Sequence, residues 1–137
     1  MKQIRHLLFL LTFLLISTGA FAQRATDAGF RTLAHFKSDG TIQDASYRPL
    51  AHIKSDGKVQ NASFKIIAYL KDDGTVQDGS FRTLGHIKRD GTVQNDGYKV
   101  IGHVRKDGLV QDASFRTIGH ADGVPIRWAA YYFFFLP

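Results

Sequence analysis

The chain contains no cysteine and no glutamate. The absence of cysteine excludes disulfides, cysteine-ligated metal sites and a lipid-modified cysteine, so packing must stabilise any fold. All twelve acidic residues are aspartate, which suits turns because its side chain bonds to nearby backbone. Long hydrophobic runs are scarce: the apolar segment Leu7–Ile16 is about half of the roughly 20 residues that a transmembrane helix needs.

This short apolar segment predicts a secretory signal peptide. Lys2 and Arg5 give it a basic start, and Ala20-Phe21-Ala22 follows it as a small-residue cleavage site. We expect cleavage between Ala22 and Gln23.

The predicted division is therefore a signal peptide at 1–22 and a single exported domain at 23–137, periplasmic or extracellular. Cleavage removes two cations, so the formal charge falls from +6 to about +4. A positive charge of this size is typical of a solvated surface and does not predict nucleic-acid binding.

A unit of seventeen residues repeats through the predicted domain. The first copy runs from Phe30 to Ser46, four full copies follow, and a sixth is broken. Position 1 is always aromatic, position 2 basic, position 4 Leu or Ile and position 5 small. The copies begin at Phe30, Tyr47, Phe64, Phe81, Tyr98 and Phe115.

Each copy predicts an antiparallel hairpin. Two short runs of β-forming residues are separated by Asp-Gly, which is a strong hairpin signal. The glycine supplies the positive φ of a three-residue loop with a bulge. These structural turn glycines are Gly40, Gly57, Gly74, Gly91 and Gly108.

The apolar positions within a copy do not fit a regular strand. Positions 4 and 7 are three residues apart, so strict alternation would place them on opposite faces. A β-bulge beside the small residue at position 5 would bring them to the same side. We therefore expect an irregularity near Ala34 and its equivalents.

Short identical units cannot bury a core alone, so they must stack linearly or close into a ring. The chain ends favour closure, because 26–29 match the back of a repeat and 115–120 match the front of one. We predict an all-β fold: a closed ring of short antiparallel β-hairpin repeats, flower- or propeller-like.

The repeat resembles that of the five-fold β-flower proteins, an exported bacterial family. The resemblance covers roughly residues 24–137 and is carried most clearly by the segment 84–95, Leu-Gly-His-Ile-Lys-Arg-Asp-Gly-Thr-Val-Gln-Asn. It implies a ring of β-hairpins, no established activity and no functional residues. Five petals are implied by the resemblance, whereas the repeat count leaves five and six open.

The repeat pattern breaks after His120. The segment that follows contains the lone tryptophan, Trp128, and an aromatic run at 131–135. Such a run would promote aggregation if exposed, so we expect an aromatic closing segment that packs on or plugs the ring. Periodicity does not decide whether Pro125–Leu136 is strand or helix.

Histidines are the first candidate site. Position 6 holds His35, His52, His86, His103 and His120, with Tyr69 in the third copy. A circle of imidazoles could bind a metal, but equivalent positions around a ring can lie too far apart for bonds of about 2 Å to one ion. We predict no metal site and no cofactor, with position 6 on the strand face opposite positions 5 and 7.

The aromatic residues at position 1 are the second candidate site. Beside a basic residue, Phe30, Tyr47, Phe64, Phe81, Tyr98 and Phe115 could each stack on a sugar ring. They are also among the largest apolar side chains of the unit, and burial in the core is the favoured expectation.

The sequence predicts no catalytic residues, because serine and histidine recur without a placed carboxylate or a nucleophile elbow. The leading interpretation is a non-enzymatic exported repeat protein with a structural or interaction role. The alternative is a carbohydrate- or cell-surface-binding module with one shallow site per repeat. Neither interpretation includes nucleic acid or a membrane span after signal cleavage.

Overall fold

A computed structural model describes residues 23–137. The predicted signal peptide lies outside these residues, as does Ala22 on one side of the predicted cleavage point. Within 23–137, no helix has the length and hydrophobicity to cross a membrane.

Between residues 23 and 137, the fold consists of twelve short strands followed by one helix. The strands are β1 (Arg24–Asp27), β2 (Thr32–Phe36), β3 (Thr41–Asp44), β4 (Pro49–Ile53), β5 (Lys58–Asn61), β6 (Ile66–Leu70), β7 (Thr75–Asp78), β8 (Thr83–Ile87), β9 (Thr92–Asn95), β10 (Val100–Val104), β11 (Leu109–Asp112) and β12 (Thr117–His120). Strands of five and four residues alternate from β2 to β11, and β1 and β12 have four residues each. Helix α1 is Ile126–Phe134.

The strands form one closed antiparallel sheet, so the predicted ring is confirmed. Each strand pairs with its neighbours in sequence, and β1 pairs with β12 through Thr26 opposite His120 and Asp27 opposite Gly119. β1, which matches the second strand of a repeat, thus pairs with β12, which is the first strand of the sixth repeat. The ring has six two-stranded units, and closure leaves no sheet edge unpaired.

The inside of the ring is built from three positions of the repeat. Positions 5, 7 and 13 are buried in β2 and β3, where they are Ala34, Phe36 and Ile42. Position 6, which is His35 in this repeat, lies between two buried residues and is only half-buried. Alternation therefore sends positions 5 and 7 inward and position 6 to the outer face, as expected.

The predicted strand irregularity is confirmed and centres on position 4. In the pairing of β3 with β4, Ile42 lies opposite Ala51 and Gln43 opposite Pro49, so Leu50 has no partner. The same register shift recurs at each equivalent pair of strands. This unpaired residue interrupts the alternation of the strand. The position-4 side chain therefore packs against the core although the next residue, at position 5, also faces inward.

Asp-Gly turns connect the strands within each repeat. Lys37 N–H donates to the carbonyl of Thr41 at 2.8 Å, and Gly40 N–H donates to the carbonyl of Lys37 at 3.0 Å. The turn glycines have φ between 89° and 94°, as predicted, and we call these five turns (37–41, 54–58, 71–75, 88–92 and 105–109) the glycine turns. A Cβ on Gly91 would overlap the carbonyl of Val104, so close packing also requires glycine.

The segment after His120 forms a helix inside the ring, which decides between strand and helix. Ala129, Ala130 and Tyr131 are fully buried and belong to the same core as the inward strand residues. Arg127 donates to the carbonyl of Leu70 at 2.8 Å and ties the first turn of α1 to the wall. The aromatic closing segment is therefore core.

Three phenylalanines of this segment lie against three glycines of the wall. A Cβ on Gly85, Gly102 or Gly119 would meet the ring of Phe135, Phe134 or Phe133, respectively. Position 5 is alanine in the first three repeats and glycine in the last three. The change to glycine makes room for the aromatic rings of the segment.

Candidate ligand-binding surface

The loops that join one repeat to the next have the same hydrogen-bonding pattern as the glycine turns. Tyr47 N–H donates to the carbonyl of Asp44 at 2.9 Å, and Asp44 N–H donates to the carbonyl of Arg48 at 2.8 Å. The fourth residue of each glycine turn is glycine, whereas the fourth residue of these loops is the aromatic residue of position 1. We call these loops (27–31, 44–48, 61–65, 78–82, 95–99 and 112–116) the aromatic loops.

The aromatic residues adopt a backbone conformation that is unfavourable for large side chains. All six have φ between 65° and 67°, in the left-handed region. This conformation costs an L-residue roughly 1–2 kcal/mol. Aromatic residues in this setting indicate a role other than turn formation.

An Asp or Asn side chain stabilises each aromatic loop. Asp44 Oδ1 accepts the backbone N–H of Ser46 at 2.8 Å and that of Arg48 at 2.9 Å. The N–H of Arg48 makes the largest contribution to holding the pKa of Asp44 below its usual range. These bonds keep the strained loop in one conformation.

The expectation that the position-1 aromatics are core is wrong. They are between 64% and 76% exposed, although they are among the largest apolar residues of the unit. The reason is their place in the chain: they lie in the loops, and the core is already filled by positions 5, 7 and 13 and by α1. The exposed residues are Phe30, Tyr47, Phe64, Phe81, Tyr98 and Phe115.

Each exposed ring except one stacks on the position-6 side chain of the preceding repeat. Tyr47 lies on His35 with ring centroids 4.1 Å apart and planes 10° from parallel. The closure of the ring adds the pair Phe30 and His120, also at 4.1 Å. The other stacked pairs are Tyr69 with Phe81, His86 with Tyr98, and His103 with Phe115.

Phe64 is the exception, because its neighbour His52 makes a different contact. His52 Nε2 donates to the carbonyl of Asp39 at 2.9 Å. Phe64 is also the most exposed of the six rings, at 76%. Stacking therefore covers part of a ring where it occurs, and it leaves about two thirds of the side chain open.

The structure does not bring the histidines together. His35, His52, His86, His103 and His120 belong to different units on the outer face, and all but His52 stack on an aromatic ring. Within 23–137, no three His, Cys, Asp or Glu side chains are grouped closely enough to hold a metal ion. The histidines of position 6 and the aromatic residues of position 1 were separate candidate sites in the sequence. In the structure, four of these histidines stack on four of these aromatic rings.

A family comparison agrees with this architecture. The family model described as "5-fold beta-flower protein" matches residues 22–137. The chain belongs to this β-flower family. No curated protein matches it.

A solved structure, described as that of a protein from Arabidopsis thaliana, is also similar. It matches over 83% of this chain and 90% of that chain, with 14% identity and a TM-score of 0.29. A likeness at this level carries no argument about fold or function.

This β-flower protein has six units, although the family description is five-fold. The sixth unit is split between the chain ends, since β12 supplies its first strand and β1 its second. A repeat count finds only five full copies, so the sixth unit is visible only when both ends are considered.

A cavity of about 700 Å³ opens beside the start of α1. Lys71, Lys88 and Arg89 from two glycine turns line it, together with Arg127 and Trp128 from the helix. It lies beside the glycine turns and includes none of the exposed rings, so it is separate from the surface formed by the aromatic loops.

Sequence reasoning missed the role of position 1 because hydrophobicity was weighed above loop position. A signal was present: Lys-Ser-Asp-Gly at 37–40 and Asp-Ala-Ser-Tyr at 44–47 place glycine and tyrosine at the same point of two similar loops. An aromatic residue where glycine is favoured predicts a side chain directed away from the core.

Proposed function

We propose that this β-flower protein is an exported, non-enzymatic binding module whose exposed rings bind carbohydrate. The observation that carries the proposal is the exposure of six aromatic side chains, each in an unfavourable left-handed conformation. Stacking contributes about 0.5–1.5 kcal/mol per pair, which is similar in size to the conformational cost, and the side chains bury little further area. Stability alone therefore does not account for these residues.

The arrangement of the rings favours sugars over a protein or membrane partner. Protein and membrane contacts use continuous apolar patches, whereas these rings are separated by polar side chains. A stacked ring is still about two thirds exposed, and the apolar face of a pyranose is of similar size to an aromatic ring. Each site is shallow and therefore weak alone.

Repetition around the ring would compensate for weak single sites. Neighbouring rings belong to units two strands apart, which is on the order of 10 Å along the sheet. A glycan chain that contacts several rings binds the later ones at high effective concentration, so its affinity exceeds that of one site. We expect polysaccharides to bind much more tightly than monosaccharides.

Glycan-array binding tests the proposal with a variant that should not disturb the fold. Phe81→Gly, Tyr98→Gly and Phe115→Gly together remove three adjacent rings, and glycine adopts their φ without strain. We expect glycan binding to fall while the free energy of unfolding changes little. Tyr98→Phe, which retains the ring, is the matched control and should bind normally.

Two results would contradict carbohydrate binding. One is a wild-type protein that binds no glycan on the array; the other is binding that survives replacement of all six aromatics by glycine. Either would leave a structural role as the better interpretation.

A further inference from the structure

The aromatic loops are of two chemical types. Position 15 of the repeat, at the start of the loop, is either Asp or Asn, and position 2, at its end, is either Arg or Lys. The two choices are linked: Asp occurs with Arg in four loops, and Asn occurs with Lys in two. The Asp/Arg pairs are 27 and 31, 44 and 48, 78 and 82, and 112 and 116; the Asn/Lys pairs are Asn61 with Lys65 and Asn95 with Lys99.

In the first type, the cation is paired. Asp78 Oδ1 accepts the backbone N–H groups of Ser80 and Arg82, and its Oδ2 accepts Arg82 Nε at 3.0 Å. The corresponding distances in the other three loops are 2.9, 3.0 and 3.6 Å. Each of these loops therefore carries no net charge beside its ring.

In the second type, the same backbone contacts form but the cation is not paired. Asn61 Oδ1 accepts the N–H groups of Ser63 at 2.9 Å and Lys65 at 3.0 Å, as Asp does elsewhere. The second polar atom of the Asn side chain is an amide nitrogen, which cannot accept from an ammonium group. Within 23–137, the ion pairs include neither Lys65 nor Lys99.

We propose that the two Asn/Lys loops select acidic sugars. This inference rests on the proposed carbohydrate-binding function. Phe64 and Tyr98 would stack on the sugar ring, and the adjacent Lys65 or Lys99 would pair with its carboxylate. Both lysines are exposed, and neither forms an ion pair within 23–137, so a sugar carboxylate does not have to displace one. Loop 61–65 has no acidic residue and carries a positive charge, whereas loop 95–99 also contains Asp96. We therefore expect Lys65 to contribute more than Lys99.

The two loops are placed to bind one extended chain. They flank the loop 78–82, so Phe64, Phe81 and Tyr98 follow one another around the ring with an unpaired lysine at each end. The lysines belong to loops four strands apart, on the order of 20 Å along the sheet. Only an oligosaccharide of several residues reaches both, so the preference for acidic sugars should grow with chain length.

Calorimetry with two matched ligands tests this inference. The ligands are an oligogalacturonate long enough to span both loops and the same oligosaccharide with its carboxylates methyl-esterified, which removes the charge and retains the sugar rings. An exposed ion pair contributes roughly two- to fivefold to affinity, so we expect the acid to bind roughly tenfold more tightly when both lysines are engaged.

The variant Asn61→Asp with Asn95→Asp supplies each lysine with a carboxylate at the position used in the other loops. The backbone contacts of Oδ1 are retained, so the fold should be unaffected. We expect the variant to bind the acid and the ester equally. The reverse change, Asp78→Asn with Arg82→Lys, creates a third unpaired lysine and should increase the preference for the acid.

The outcomes separate this inference from the function on which it rests. Equal wild-type affinity for the acid and the ester would overturn acid selection and leave carbohydrate binding intact. A preference for the acid that persists unchanged in the Asn61→Asp, Asn95→Asp variant would also overturn it. A wild-type protein that binds neither these ligands nor any array glycan would overturn both.

Discussion

Replacing Gly102 by alanine should destabilise the fold because of one aromatic ring. The added Cβ would overlap Cζ of Phe134 and lie 2.7 Å from the carbonyl oxygen of Gln111. The backbone alone accepts a methyl group at this position, since Ala51 occupies the equivalent place in the second repeat. Overpacking of this kind costs about 1–3 kcal/mol, so we expect the free energy of unfolding to fall by that amount.

A double-mutant cycle in urea denaturation identifies the ring as the cause. Phe134→Ala alone should cost about 1–3 kcal/mol, less than a fully buried phenylalanine, because its side chain is half-buried. In the double variant, the methyl group of Ala at 102 enters the space that the ring leaves. The double variant should therefore be at least about 1 kcal/mol more stable than additivity predicts.

The matched control is Ala51→Gly, at the same repeat position, where the wall already holds a buried methyl group. It should destabilise by about 0.5–1 kcal/mol, because alanine is favoured over glycine within a strand when space permits. The two sites thus have opposite preferences at the same repeat position. A Gly102→Ala variant that is as stable as wild type, or a cycle with no coupling, would refute the proposed fit.

Three further predictions concern stability. Deleting Trp128–Pro137 removes the buried part of α1 and should lower the free energy of unfolding by at least about 3 kcal/mol, the cost of one buried aromatic side chain; an unchanged melting temperature would contradict a core role. Burial raises the pKa of Tyr131 from 10.0 to about 12. The unfolded chain therefore loses this proton first, and stability should decline by about 2–3 kcal/mol from pH 10 to 12, with most of this decline absent in Tyr131→Phe. Backbone N–H bonds lower the pKa of loop aspartates such as Asp78 and Asp112. The stability they contribute is complete above their ordinary pKa near 3.8 and lost as pH falls below it, so the urea midpoint should decrease below pH 4 but not between pH 7 and 5.

Much of the fold could be predicted because local signals determine it. The repeat length, the Asp-Gly turns and the split repeat at the chain ends together predict hairpins in a closed ring. The irregularity at position 4 followed from the spacing of apolar residues such as Leu33 and Phe36. The helix could not be predicted, since apolar residues lie on all sides of the segment 126–134 and their periodicity does not distinguish a strand from a helix.

The surface was harder to predict because it depends on residues from neighbouring repeats. Stacking of His35 on Tyr47 requires the loop to reverse direction with Tyr47 in the left-handed region. Hydrophobicity scales place such a residue in the core whatever its φ. The two types of aromatic loop can be read from the sequence. Only the structure shows that Asp78 pairs with Arg82, and hence that the two types differ in whether the cation is paired.

The inside and the outside of the ring differ in symmetry, and this difference bears on function. A single helix has no six-fold axis, so the wall around it must vary from repeat to repeat. Position 7 accordingly changes from Phe36 in the first repeat to Ala121 in the sixth, and position 5 changes from alanine to glycine. The aromatic loops lack this constraint, and all six retain an exposed ring with the same φ. A function that uses repetition must therefore act through the outer surface, which favours a ligand that is itself a repeating chain.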